Sequence, residues 1–342
     1  VRVDAGSCAS QRGQSSAFGA DSTSVDPNAA SATISINAFT PLTQGLLFNG
    51  CFVMVLIYGR KRSGAVQSDH NMGRATAREI KEGPTMIVEQ IWTGNAYRNF
   101  NYLIVCPETG DALAVDPLDH EKCLAKAKEK GWTITQILNT HEHGDHIGGN
   151  ADVVLATGAR IIAHKNAAAK IPDMARGLGA GDVIKIGNTV ELESLDTPGH
   201  TMSHVCLISR TDQPALFCGD TLFNAGAGNC HNGGHPNELY HTFSTQLSRL
   251  PDNTLIYPGH DYIAGNLGFT LDREPDNARA KALLDDVKDQ NTNHALVSTL
   301  GLEKEINTFF RLQNPTVIAR LQEKFSDLPE NPDAKTVFIK LR

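Results

Sequence analysis

Residues 139–149 read Asn-Thr-His-Glu-His-Gly-Asp-His-Ile-Gly-Gly, so His141, His143, Asp145 and His146 fall within six positions. Imidazole nitrogen and carboxylate oxygen at this density suit Zn²⁺, Fe²⁺ or Mn²⁺. On a tight loop after a strand, His141 and His143 can turn toward one ion, while Asp145 and His146 reach a second. Gly144, Gly148 and Gly149 relieve crowding where the backbone turns sharply into a helix. A lone histidine is usually a packing or surface residue, but this HxHxDH run follows an apolar stretch and demands a chemical reason.

Four ligands cannot complete two coordination spheres. Three more candidates stand at other strand ends, each directly after a glycine: His200 in DTPGHT, Asp220 in FCGDT and His260 in YPGHD. A metal pair held in this way makes hydroxide available at neutral pH for attack on a carbonyl. Asp145, besides binding metal, is placed to orient that nucleophile and is the candidate catalytic residue.

The elements that must carry these loops follow from hydropathy. Strands are expected over 86–92, 101–106, 112–116, 134–138, 160–163, 189–195, 205–209, 215–218 and 255–257, and helices over 120–130, 148–156, 237–250 and 276–290. From about residue 271 strands nearly vanish, and 302–324 also reads as helical. Strands and helices mixed in this order imply an α/β protein with two sheets covered by helices, an αββα sandwich. No GxGxxG or phosphate-loop pattern follows any strand. The expected division is a low-complexity extension over 1–85, a catalytic domain over 86–270 and a helical substrate-binding region over 271–342. The first 40 residues are rich in Ser, Ala, Asn and Gly, and the folded unit is expected to start at Met86.

Four segments carry a family resemblance: THEHGDHIGGN, DTPGHTMSHV, LFCGDTLF and YPGHDYIAGNLGF, with a fainter echo in EKEINTFFRLQNP. In these the chain resembles the metallo-β-lactamase superfamily and, within it, the glyoxalase II (hydroxyacylglutathione hydrolase) branch. The resemblance implies a metallo-β-lactamase sandwich with a C-terminal helical region. Carried over residue by residue, His141, His143 and His200 would bind one metal and Asp145, His146 and His260 the other, with Asp220 bridging. The implied cofactor is a pair of divalent ions, Zn foremost, with Fe or Mn also fitting. The implied reaction is hydrolysis of a thioester or ester, and a thiolate with a pKa of about 8.5 leaves without acid help.

Asn229 and His231 occupy positions where glyoxalase II carries a basic residue and an aromatic that hold glutathione. With Tyr262 and Arg342 they are the candidate substrate contacts. Asp116, before Pro117, is expected to orient the histidine loop by hydrogen bonds, and His204 to support it. Two other activities stay open on the same motifs. One is a persulfide dioxygenase using a single iron at His141, His200 and Asp220, the other a lactonase or ester hydrolase with weak β-lactamase activity.

Bulk properties narrow the partners. The 342 residues carry a formal charge of −7, which offers nucleic acid no general attraction. The apolar run over 46–58 is short of the roughly 20 residues that span a membrane. Seven scattered cysteines without a CxxC pair fit reduced thiols in the cytoplasm. A small-molecule substrate, with neither nucleic acid nor membrane as partner, is the expectation. Nothing in the chain speaks to its oligomeric state.

Overall fold

The computed structural model describes residues 85–211 and 213–342. The expected extension over 1–85 and the apolar run over 46–58 lie, apart from Thr85, outside the described residues. The strands are β1 (Ile87–Trp92), β2 (Phe100–Val105), β3 (Asp111–Val115), β4 (Thr133–Leu138), β5 (Arg160–His164), β6 (Met174–Leu178), β7 (Val183–Ile186), β8 (Val190–Asp196), β9 (Val205–Ser209), β10 (Ala215–Gly219), β11 (Leu222–Phe223), β12 (Gly226–Ala227), β13 (Leu255–Pro258) and β14 (Ser298–Thr299). The helices are α1 (His120–Lys130), α2 (Gly144–Ile147), α3 (Asn150–Thr157), α4 (Pro236–Thr245), α5 (Ile263–Arg273), α6 (Ala278–Val287), α7 (Leu300–Ile306), α8 (Pro315–Lys324) and α9 (Ala334–Leu341).

Two six-stranded sheets form, ordered β1-β2-β3-β4-β5-β6 and β14-β13-β10-β9-β8-β7. In the first, β3 through β6 run parallel, while β1, β2 and β3 pair antiparallel. The second is antiparallel except where β10 pairs with β13.

Alternate residues of each strand face opposite layers. Phe100, Tyr102, Ile104, Leu113, Val115 and Leu138 of the first sheet meet Ile184, Leu192, Val205, Leu207 and Phe217 of the second. On the outer face, Leu103, Val105, Ala112, Ala114, Ile134 and Ile137 lie against Cys123 and Ala127 of α1 and Val153 of α3. Across the other outer face, Cys206, Ile208, Leu216, Cys218 and Ile256 contact residues of α4, α8 and α9. Central strands buried on both faces therefore read as unbroken apolar runs, and the expected αββα sandwich with a helical C-terminal region is what the chain builds.

Several expected elements differ in extent. The helix expected over 148–156 is α3, with the one-turn α2 ahead of it, and Gly149 between them sits where a Cβ would stand 2.0 Å from the Pro117 carbonyl. Gly144, expected to relieve crowding too, has open space around it. The stretch 302–324 is interrupted, since Asn307 and Asn314 cap successive short helices and Pro315 opens α8. Helix α5, unexpected from sequence, spans the anticipated 270/271 division. Among the described residues no helix is long and apolar enough to cross a membrane.

Candidate metal centre

Strands end where the chemistry collects. β4 delivers Thr140 and His141, β8 leads to His200, β10 to Asp220 and β13 to His260, all at one edge of the sandwich. His141 Nε2 and His200 Nε2 each stand 3.0 Å from His143 Nδ1. On the other side His146 Nε2 faces His260 Nε2 at 3.2 Å, with Asp145 Oδ2 at 3.7 and 3.6 Å from the two. Asp220 lies between the clusters: Oδ2 is 3.5 Å from His200 Nε2 and 3.2 Å from His260 Nε2, and Oδ1 is 3.4 Å from His146 Nε2. The structure thus gathers all seven candidate ligands. We call His141, His143 and His200 the first cluster, and Asp145, His146 and His260 the second.

These residues fit a cation on three counts. Asp220 Oδ1 is buried with no hydrogen-bond partner among the described residues, which is costly unless something positive faces it. Nitrogen ligands about 2.0–2.1 Å from a shared zinc stand roughly 3 Å apart, as these do. Electrostatics agree. Burial opposes charge on His146, yet Asp220, Asp116 and Asp145 outweigh it and lift the imidazole to about 9. The pocket therefore attracts positive charge. Burial likewise opposes the Asp220 carboxylate, but His146, His260 and His200 hold it well below the usual range. Burial also keeps His141 and His200 neutral, which leaves their lone pairs free to ligate.

Each ligand histidine is oriented through its outer nitrogen, which fixes the nitrogen that can bind metal. His146 Nδ1 donates to Asp116 Oδ2 at 3.0 Å, and His260 Nδ1 to the Tyr97 carbonyl at 2.7 Å. His141 Nδ1 lies 3.1 Å from Thr140 Oγ1, which donates to Asp116 Oδ2 at 2.7 Å. Asp116 also accepts from the Thr140 amide at 2.8 Å, the orienting role expected of it. His143 Nε2 and His200 Nδ1 donate to the carbonyls of Asn232 (3.0 Å) and Asn229 (2.6 Å). His204, fully buried, accepts from the Asp220 amide at 3.2 Å and contacts the Thr197 and Thr221 hydroxyls, so it braces Asp220. Gly259 permits close approach to the site: a Cβ there would lie 2.4 Å from Asp220 Oδ1.

Some of these supports carried no sequence signal. Tyr97, Asn229 and Asn232 act through backbone carbonyls. Asn99 donates to the Asp145 carbonyl at 3.0 Å and to Oδ2 at 3.3 Å, and its backbone bridges to His260. Only its position just before β2 could have flagged it.

The candidate substrate contacts divide. Tyr262 stacks on His260 with rings 4.8 Å apart and 7° from parallel. Burial, with Asp220 and Asp145, pushes its phenol up to about 12, so it stays a proton donor. Asn229 and His231 lie exposed on the loop over the first cluster, and Asn229 Oδ1 accepts from the His231 amide at 3.1 Å. Arg342 is placed at the root of that loop, donating to the Ala227 carbonyl at 2.9 Å.

A helix-covered double sheet with this donor set at one edge defines a metalloenzyme of the metallo-β-lactamase class. Residues 100–260 match the metallo-beta-lactamase superfamily, and 261–342 match the hydroxyacylglutathione hydrolase C-terminus. A hydroxyacylglutathione hydrolase of Polaromonas is 70% identical over 257 residues, covering 75% of this chain and 98% of that protein. One from Nitrosococcus oceani is 68% identical over 257 residues, covering 75% and 98%. Among solved structures, ETHE1 from Myxococcus xanthus aligns at a TM-score of 0.53 and 25% identity, covering 72% of this chain and 93% of that one. A metallo-beta-lactamase from Staphylococcus aureus aligns at 0.51 and 25%, covering 75% and 71%. The chain belongs to the hydroxyacylglutathione hydrolase family.

Proposed function

We propose that this enzyme hydrolyses S-2-hydroxyacylglutathione thioesters to a hydroxy acid and a thiol, using two divalent ions, zinc foremost. The observation that carries the reading is Asp220, whose buried oxygen, without a hydrogen bond among the described residues, lies between two clusters of ligands. His141, His143 and His200 would hold one ion and Asp145, His146 and His260 the other, with Asp220 shared. When bound, such ions supply Lewis acidity toward a carbonyl oxygen and lower the pKa of water toward neutrality.

The chain's own groups do the rest. Asp145, the most exposed carboxylate of the site at 26% of its side chain, faces the incoming water and can take its proton. Asn99 holds that carboxylate in place. The Tyr262 phenol, still protonated, can donate to the sulfur of the thiol half. Asn229 and His231 border the other side, and Arg342 supplies positive charge where a peptide carboxylate would be received. The thiolate departs without acid catalysis because its pKa is low.

A cytoplasmic setting is supported by Cys106, Cys123, Cys206, Cys218 and Cys230, all unpaired. Turnover of S-lactoylglutathione by zinc-replete protein tests the reading. Inertness there beside rapid hydrolysis of a lactone or simple ester would reassign the substrate. One iron per chain with oxygen consumption would reassign the reaction.

A further inference from the structure

We propose that the C-terminal helical region governs the first metal position, by gripping the loop whose carbonyls orient His143 and His200. This rests on the two-metal reading above. The loop's root, 224–227, pairs with β11 in a short hairpin, and side chains of the C-terminal region grip it from the other side. The Ala225 amide donates to Glu303 Oε2 at 2.8 Å, and Asn224 Nδ2 to Ser298 Oγ at 2.8 Å. Asn307 Nδ2 donates to the Gly226 carbonyl at 3.0 Å, Asn266 Nδ2 to that of Asn224 at 2.9 Å, and Arg342 to that of Ala227 at 2.9 Å. Every one of these partners lies beyond residue 260.

From that root the loop passes over the metal ligands. Gly228 lies so close that a Cβ there would stand 1.7 Å from the Asp220 carbonyl. Asn229 then accepts from His200 at 2.6 Å and Asn232 from His143 at 3.0 Å. The exit is laced down as well, by the Met202 amide on the Gly233 carbonyl at 3.2 Å and the His235 amide on that of Gly199 at 2.9 Å. Asn229, His231 and Asn232 along this path are exposed, while Cys230 among them is half-buried against the outer apolar cluster. Hydrogen bonds therefore do most of the positioning, with Cys230 the half-buried contact beneath, and bonds of this kind are individually weak.

The second cluster takes its orienting hydrogen bonds from elsewhere, although Tyr262 stacks on His260. His146 rests on Asp116, His260 on the Tyr97 carbonyl and Asp145 on Asn99, all upstream of the histidine loop. Outer partners of metal ligands typically change affinity by about 10–100-fold. Loop order and ion binding at the first position must then be linked, each favouring the other. The same loop carries Asn229 and His231, so thiol-substrate binding would tighten the first ion while leaving the second alone.

The test is zinc affinity by competition with a chromophoric chelator, for the intact chain and for Asn229→Ala and Asn307→Ala. Each is also measured with His260→Ala, which leaves the first position, and with His143→Ala, which leaves the second. Asn229→Ala removes only an exposed turn-forming side chain, so it guards against misfolding at the buried Asn307. We expect about a tenfold loss at the first position in both variants and none at the second. Amide exchange over 228–235 should slow on adding zinc to His260→Ala and not on adding it to His143→Ala. Equal weakening of both positions, or loop amides equally protected without metal, would overturn the clamp. A chain that binds no zinc would overturn the two-metal reading itself.

Discussion

The two halves of the metal centre both lean on histidines but are held by different means. His146 rests on a buried carboxylate, Asp116, fixed at the end of β3. His143 and His200 rest on two peptide carbonyls of an exposed loop. A buried ionised partner adds charge to the hydrogen bond and is roughly twice as strong as a neutral one. The second half is therefore built for retention and the first for adjustment.

Replacing the residue both halves share should produce the largest effect. Asp220→Ala is expected to lower kcat/KM by at least about 10²-fold, read in a thioester hydrolysis assay. Unchanged turnover would show that the halves do not work as one site. Next is Asp116→Asn, which should cost about 10–100-fold in zinc affinity, mainly at the second position. It acts on His141 only through Thr140, so a larger loss at the first position would invert the comparison. Tyr262→Phe comes third. Losing one phenol donor should raise KM by up to about tenfold with metal content intact.

The smallest effect concerns Glu303, beneath the loop of the first half. Burial raises its pKa although Ser298, Ala225, Asn307 and Asn224 donate to it. A carboxyl raised in the folded state stabilises fully below its unfolded pKa of about 4.3, and that stability fades as pH climbs through the folded value. Glu303→Gln should lower Tm, because an amide sets an NH₂ against donors. The gap from the parent should narrow as pH rises from 4 to 7, since only the parent carries this slope. A gap that widens would mean the folded carboxyl is favoured in its ionised form.

What the sequence disclosed follows the same division. Side-chain ligands at strand ends were legible because type and spacing repeat: a glycine, then His200, Asp220 or His260, after an apolar run. Asp116 could be read from its place before Pro117. Carbonyl supports at Tyr97, Asn229 and Asn232 could not, because a peptide oxygen is common to every residue and only the fold aims it. Helix α5 escaped notice because Gly265 and Gly268 resemble breakers, whereas both sit in open space and cost only helix propensity. Strands β6 and β7 are short and half-exposed edge elements, which weakens their hydropathy signal.

Stepwise reconstitution tests the central claim most directly: strip the chain with a chelator, add zinc back, and follow S-lactoylglutathione hydrolysis against bound metal. Turnover should vanish on stripping and rise until two equivalents are held, with no oxygen consumed. Full activity in metal-free protein, or saturation at a single equivalent, would contradict the account.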